Sequence, residues 1–269
     1  MRRLLALLLA VPLLLSGLCG CASRYGEQKT TVNYYPGCYR PIQDLREREN
    51  DVAKGTAGGA AVGALGGALL GLLASGGKWE GAAVGAVGGA AAGGVMGNIY
   101  AQKQRQRDDN QRLASYLQDI DGDISDLDIT GAAARTSLQC YDQQFALLLK
   151  DIRAKAIDRE TAAKRFAEIS SGREEAIALL GTAVAHARDL DQQYEEAFAN
   201  EERAVTSPRA AAQGQDRQRQ NVRAINAARQ KKQNLTQKTA ALDREKTEAA
   251  QVTTRQTQEI NEALADIRA

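Results

Sequence analysis

Three patterns of apolar positions follow one another along the chain. Behind Arg2 and Arg3, residues 4–15 form an unbroken apolar run. Between Gly55 and Gly97 the repeating residue is glycine. Gly55, Gly59, Gly63, Gly67 and Gly71 recur every fourth position; after Ser75-Gly76-Gly77-Lys78-Trp79-Glu80 the row restarts as Gly77, Gly81, Gly85, Gly89, Gly93 and Gly97. Beyond Tyr100 the apolar residues become large and take alternating three- and four-residue steps: Leu113, Leu117, Ile120, Ile124, Leu127, Leu138, Tyr141, Phe145, Leu148 and Ile152. That heptad seam predicts a long helix, thin only at Gly131 and Ala134. The register breaks at Ala156-Ile157-Asp158, where Asp158 suits an N-cap for a second helix from Arg159. This helix carries Phe166, Ile169, Ala176, Leu180, Ala187, Leu190 and Tyr194, flanked by Ile177, Val184 and Phe198, and is expected to pair antiparallel with the first. Ser207-Pro208 and Gly214 interrupt the pattern. The remaining tail has a sparse seam of Val222, Ile225, Leu235, Leu242, Ile260, Leu264 and Ile267, with Lys232 and Lys246 on it. Such a helix is marginal alone, so the tail either orders against other helices, a second copy or a partner, or stays solvated and partly disordered.

The glycine rows make physical sense in a membrane. Each Gly costs a helix about 1 kcal/mol relative to Ala, so the glycines between Gly55 and Ala74 together cost roughly 7 kcal/mol in water. In lipid the backbone must satisfy its own hydrogen bonds, and a glycine stripe lets two helices approach closely. Each row is about 20 residues, or about 30 Å of helix, which matches a hydrocarbon core. From Gly55 to Gly77 no residue is ionisable. Trp79, Tyr100, Tyr34, Tyr35 and Tyr39 are candidate interfacial aromatics. A flexible Gly/Ala linker and a hairpin buried in a soluble oligomer are the competing readings.

Composition narrows the function classes. Aromatics make up 4% of the 269 residues, too little bulk for one large globular core, and the net charge of +2 argues against a nucleic-acid footprint. The single histidine, His186, sits between alanines with no ligand at metal spacing, and reads as structural or surface. Asp119-Ile120-Asp121-Gly122-Asp123-Ile124 through Asp128 looks like half a calcium loop, but Leu117 occupies the first ligand position. A solvated acidic face or a helix break is preferred there. Gly71 to Lys78 fails as a phosphate loop, since Gly77 follows Gly76 and Trp79 follows Lys78. No nucleophile with a base can be nominated, so the sequence predicts no enzyme, no cofactor and no metal site.

The N-terminal run is too short to span as a permanent helix and reads as an export signal. Leu18-Cys19-Gly20-Cys21 resembles the lipobox of bacterial lipoproteins, although Cys19 stands where a small residue is usual. The resemblance implies that Cys21 is acylated and becomes the mature N-terminus, and that Ala22 and Ser23, with no Asp, favour the outer membrane. An ordinary secretory signal is the bland alternative. Cys38 and Cys140 then remain as a candidate disulfide in a compartment that permits one. A straight helix leaving Tyr100 would carry Cys140 about 60 Å away, whereas a helical Pro41–Lys54 reaches about 25 Å. Their pairing therefore calls for an extended lead segment or a fold-back near Gly122 or Gly131.

The lipobox and the rows from Gly55 to Gly97 together resemble the glycine-zipper two-transmembrane lipoproteins of bacterial envelopes, the group of the rickettsial surface antigen and the SlyB-like proteins. The resemblance implies an outer-membrane lipoprotein associated with envelope integrity. The expected organisation is all-α: signal peptide 1–20, lipid-anchored lead 21–54, membrane hairpin 55–101, antiparallel coiled coil 102–205 and polar helical tail 206–269. Expected partners are membrane lipids, further copies of the chain, and an unidentified envelope protein or cell-wall component met by a body that spans the periplasm. A pore-ring or periplasmic adaptor of a transport conduit is the alternative.

Overall fold

A computed structural model of the protein describes residues 25, 28–55, 99–104, 109–208 and 214–266. The described residues are helical with irregular connections: α1 is Pro36–Gly55, α2 Ile99–Lys103, α3 Asp109–Arg153, α4 Arg159–Val205 and α5 Gln215–Asp266. The long helical body expected from the seam is present. Helix α3 runs unbroken through Gly122 and Gly131, so the acidic stretch from Asp119 to Asp128 is a helix face and not a break.

Chain reversals sit where the sequence supplies the chemistry. After α3, Lys155 adopts a left-handed backbone with φ 54°. Asp158 then caps α4, accepting from the Thr161 backbone N–H at 2.8 Å and from its hydroxyl at 2.7 Å. These two bonds hold the Asp158 carboxyl below its ordinary pKa. Helix α4 ends at Thr206, ahead of Pro208, and Gly214 at φ +105° precedes α5. Only glycine adopts that backbone freely.

Ion pairs fix the helix directions. Arg112 meets Glu201 while the Phe145 and Phe166 rings lie 6.0 Å apart, so α3 and α4 run oppositely. Arg229 meets Glu202, and Arg173 donates to Thr253 at 3.0 Å, so α5 runs opposite to α4. Lys231 pairs with Asp121, Lys238 with Asp128 and Arg135 with Glu245, which makes α5 parallel to α3. The body is thus a three-helix rod with two ends. One is a turn end at residues 154–158; the other is an open end where α3 and α5 start and α4 stops.

Two apolar clusters fill the rod. Toward the open end, Leu113, Tyr116, Ile120, Leu127 and Leu138 pack with Leu180, Val184, Tyr194, Phe198, Ile225, Leu235 and Leu242. Toward the turn end, Tyr141, Phe145, Leu148 and Ile152 pack with Ile169, Ile260, Leu264 and Cys38. The thin stretch at Gly131 is filled from the third helix: a Cβ there would stand 2.7 Å from Leu242 Cδ1. Val222, placed on the tail seam by its spacing, is instead exposed, because Asn221, Ile225 and Ala228 take the buried face of α5 there.

The premise of a straight helix leaving Tyr100 does not hold. Lys103 pairs with Asp119 and sits over the Tyr116 ring, 5.5 Å from its centroid. A continuous helix would hold residues 103 and 119 about 24 Å apart, so α2 and α3 are not one straight helix.

Candidate membrane-anchoring site

The lead segment is seated by two carboxylates one heptad apart on α4. Glu168, 5% exposed, accepts from three successive backbone N–H groups, those of Asn33 (2.8 Å), Tyr34 (2.7 Å) and Tyr35 (2.8 Å). They immediately precede Pro36, the first residue of α1, whose ring carries no N–H to leave unpaired. The foreign carboxylate therefore serves the donors ahead of α1. Glu175 accepts from the Thr30 backbone N–H at 3.0 Å, its hydroxyl at 2.6 Å and the Tyr39 hydroxyl at 2.9 Å, and pairs with Arg46. Burial alone would raise the Glu175 pKa; the bonds from Thr30, Arg46 and Tyr39 reverse this and hold it below the usual carboxylate range. Tyr39 is pushed up to about 12 by burial and by the adjacent Glu175.

A disulfide closes the seat. Cys38 and Cys140 are bonded with their Cα atoms 5.2 Å apart. Neither route drawn from the sequence produces this pairing. Helix α1 runs back along α3: Cys38 belongs to the turn-end cluster, while Tyr39, Ile42 and Leu45 belong to the open-end cluster. From the level of Cys140, α1 covers the 17 residues to Gly55, about 25 Å, and ends near the height of residue 123 of α3. On the far side of the zippers, α2 rejoins the rod beside Tyr116 and Asp119. The two flanks of residues 56–98 thus leave and return at nearly the same height.

They also share a side of the rod. On α3, positions 119, 126, 133, 140 and 147 form one column at heptad spacing, and it carries Lys103 at Asp119 and Cys38 at Cys140. A second column, 121, 128, 135 and 142, carries α5 through Lys231, Lys238, Glu245 and Gln256. The columns differ by two residues, about 200° around the helix, so the lead and zipper flanks lie opposite α5.

Of the predicted site residues, the structure joins Cys38 and Cys140 and places Gly55 at the end of α1. Cys21 and Gly59, Gly63, Gly67, Gly71, Gly77, Gly81, Gly85, Gly89, Gly93 and Gly97 lie outside the described residues. Among the described residues no helix is long and apolar enough to cross a membrane.

Comparison with known families falls on this N-terminal part. Residues 1–101 match the family model of the YMGG-like Gly-zipper. The Gly-zipper match takes in the cysteines at 19 and 21, the lead and both glycine rows, and points to a membrane-associated envelope protein. It ends at Ala101, inside α2, before the rod begins. No curated protein and no solved structure matches the chain.

The residues that sequence reading missed are Glu168, Glu175, Thr30 and Arg46. A signal for the first two was present: each lies one position before a seam residue, Ile169 and Ala176, where an acid on the apolar side of a helix needs a partner.

Proposed function

We propose that the protein is a non-enzymatic envelope lipoprotein, held to the outer membrane by an acylated Cys21 and by a glycine-zipper hairpin spanning 55–101. In this reading the zippers also join copies of the chain. The helices of residues 102–205, an antiparallel coiled coil completed by α5, present a surface to a periplasmic protein or cell-wall component and contribute to envelope integrity.

The observation that carries this reading is the return of both zipper flanks to one height on one side of the rod. A segment that crosses a bilayer twice must start and finish on the same face, and an insertion whose ends lie level meets that requirement without further rearrangement. The Gly-zipper match over residues 1–101 supports the same reading, as does the Cys38–Cys140 bond, since such bonds persist in oxidising compartments and not in the cytosol. A diacylated cysteine together with a hairpin would make membrane retention effectively permanent.

The test is membrane fractionation of cells producing the wild type and Cys21→Ala, each pellet washed with carbonate and urea. The reading expects wild type in the outer-membrane fraction and a variant that still resists the wash through its zippers. Release of the variant as free protein would show that lipid alone holds the chain and that the glycine rows are a soluble packing device.

A further inference from the structure

We infer that the helical rod lies along the membrane surface on its lead-bearing side and does not stand up from the membrane on one end. The inference rests on the proposed anchoring through Cys21 and the zippers, and adds to it an orientation and a lipid-facing surface.

The argument is one of tether lengths. Helix α3 has 45 residues and is about 68 Å long. The backbone carbonyl of Tyr25 accepts from Arg46 at 3.3 Å, and Arg46 in turn reaches Tyr39 and Glu175. Taking Cys38 at the level of Cys140, this network lies between the levels of residues 132 and 140, about 35–46 Å from the open end and about 20–31 Å from the turn end. Four residue steps lead from Cys21 to Tyr25, and they span at most about 14 Å in any conformation. An acyl chain on Cys21 therefore enters lipid no closer than about 21 Å to the open end. The zipper flanks join the rod at the levels of residues 116–123, about 10–21 Å from the open end and about 45–56 Å from the turn end.

An upright rod cannot satisfy these tethers together. Standing on the open end, it would hold Cys21 some 20 Å above the lipid. Standing on the turn end, it would lift the zipper flanks by more than 40 Å. Lying down, it brings the lead, α1 and α2 to the surface at once, because all three lie along α3 and α4 on the side of the rod away from α5.

The chemistry of that side agrees. Two of the exposed large apolar side chains, Tyr34 at 40% and Leu147 at 54%, stand there near the turn end. Leu147 continues the column of Asp119 and Cys140, and Tyr34 sits under Arg165, 5.7 Å from ring centroid to guanidinium. An apolar tip beside a cation suits the boundary between headgroups and acyl chains. The outward face of α5 presents Val222 as its one exposed large apolar residue among Asn226, Gln230, Gln233 and Asn234.

Neutron reflectometry on the full-length acylated protein in a supported bilayer tests the orientation directly. A lying rod gives a protein layer about 30 Å thick; an upright one gives about 70 Å and overturns the inference while leaving the anchoring intact. Loss of the layer in a carbonate wash would overturn the anchoring reading and this inference with it. The choice of side is tested by placing benzoylphenylalanine at Leu147 or at Asn226 in vesicles and counting lipid adducts. At least a fivefold excess at position 147 is expected; equal yields, or an excess at 226, would refute the assignment.

Discussion

Gly172 of α4 leaves the space that the Tyr141 ring occupies: a Cβ there would stand 2.2 Å from the ring. Helix propensity alone favours Gly172→Ala by about 1 kcal/mol, but displacing a fully buried tyrosine costs about 1–3 kcal/mol, so the variant should melt lower. Tyr141→Phe should be neutral or slightly stabilising, because the Tyr141 hydroxyl is buried with no hydrogen-bond partner among the described residues. Thermal melts of both variants check the pair. At Glu175 the prediction concerns pH. Its folded pKa lies below the unfolded value, so its stabilisation is complete above the ordinary carboxylate range and is lost as pH falls through the depressed value. Glu175→Gln should therefore cost about 1–3 kcal/mol near neutral pH and progressively less in acid, seen as converging melting curves of variant and wild type. The carboxylate seat was only half legible in the sequence. Heptad spacing locates Glu168 and Glu175 beside the seam, yet nothing in a linear pattern says that their partners are backbone N–H groups more than 130 positions away.

Helix α5 shows how a helix with few apolar residues finds its place. Ile225, Leu235, Leu242, Ile260 and Leu264 are its large buried residues, and between them Lys232 reaches both Asp191 and Glu195, at 3.1 and 3.0 Å. From Gln215 to Lys238 this helix has seven cations and one acid, and it faces the aspartates of α3 and the acids of the second half of α4. The rungs Asp121–Lys231, Asp128–Lys238 and Arg135–Glu245 repeat every seven residues, with the sign reversed at the third. Any one rung is half exposed and weak, but together they penalise a shifted register. Asp128→Lys should destabilise the rod by about 1 kcal/mol or less, and Asp128→Lys with Lys238→Asp should recover most of that in a double-mutant cycle read by denaturant melts. The helix–turn–helix of α3 and α4 was legible because the seam, the break at 156–158 and the Asp158 cap agree. Whether α5 would order was not, since its sparse seam leaves the decision to charges on other helices. The packing of α2 against the side of α3 was equally hidden: a helix period says nothing of how successive helices are set against each other.

At the scale of the whole molecule, the parts legible in the sequence are those with a local period, namely the glycine rows and the rod. The way they are joined was not legible, because it depends on α1 folding back and on contacts such as Lys103–Asp119 that no period encodes. In the proposed orientation, that joining replaces a rod reaching across the periplasm with one lying on its own membrane, with α5 displayed outward. It also sets the chain's covalent topology. The Cys38–Cys140 bond spans 102 positions, and both glycine rows fall within that span. The zippers are therefore a handle on a closed hoop, not a strap between two separable pieces. A protease that nicks the chain once anywhere within the zippers opens the hoop without setting either half free: the rod stays covalently bound to the N-terminal piece that bears Cys21 until the disulfide is also reduced.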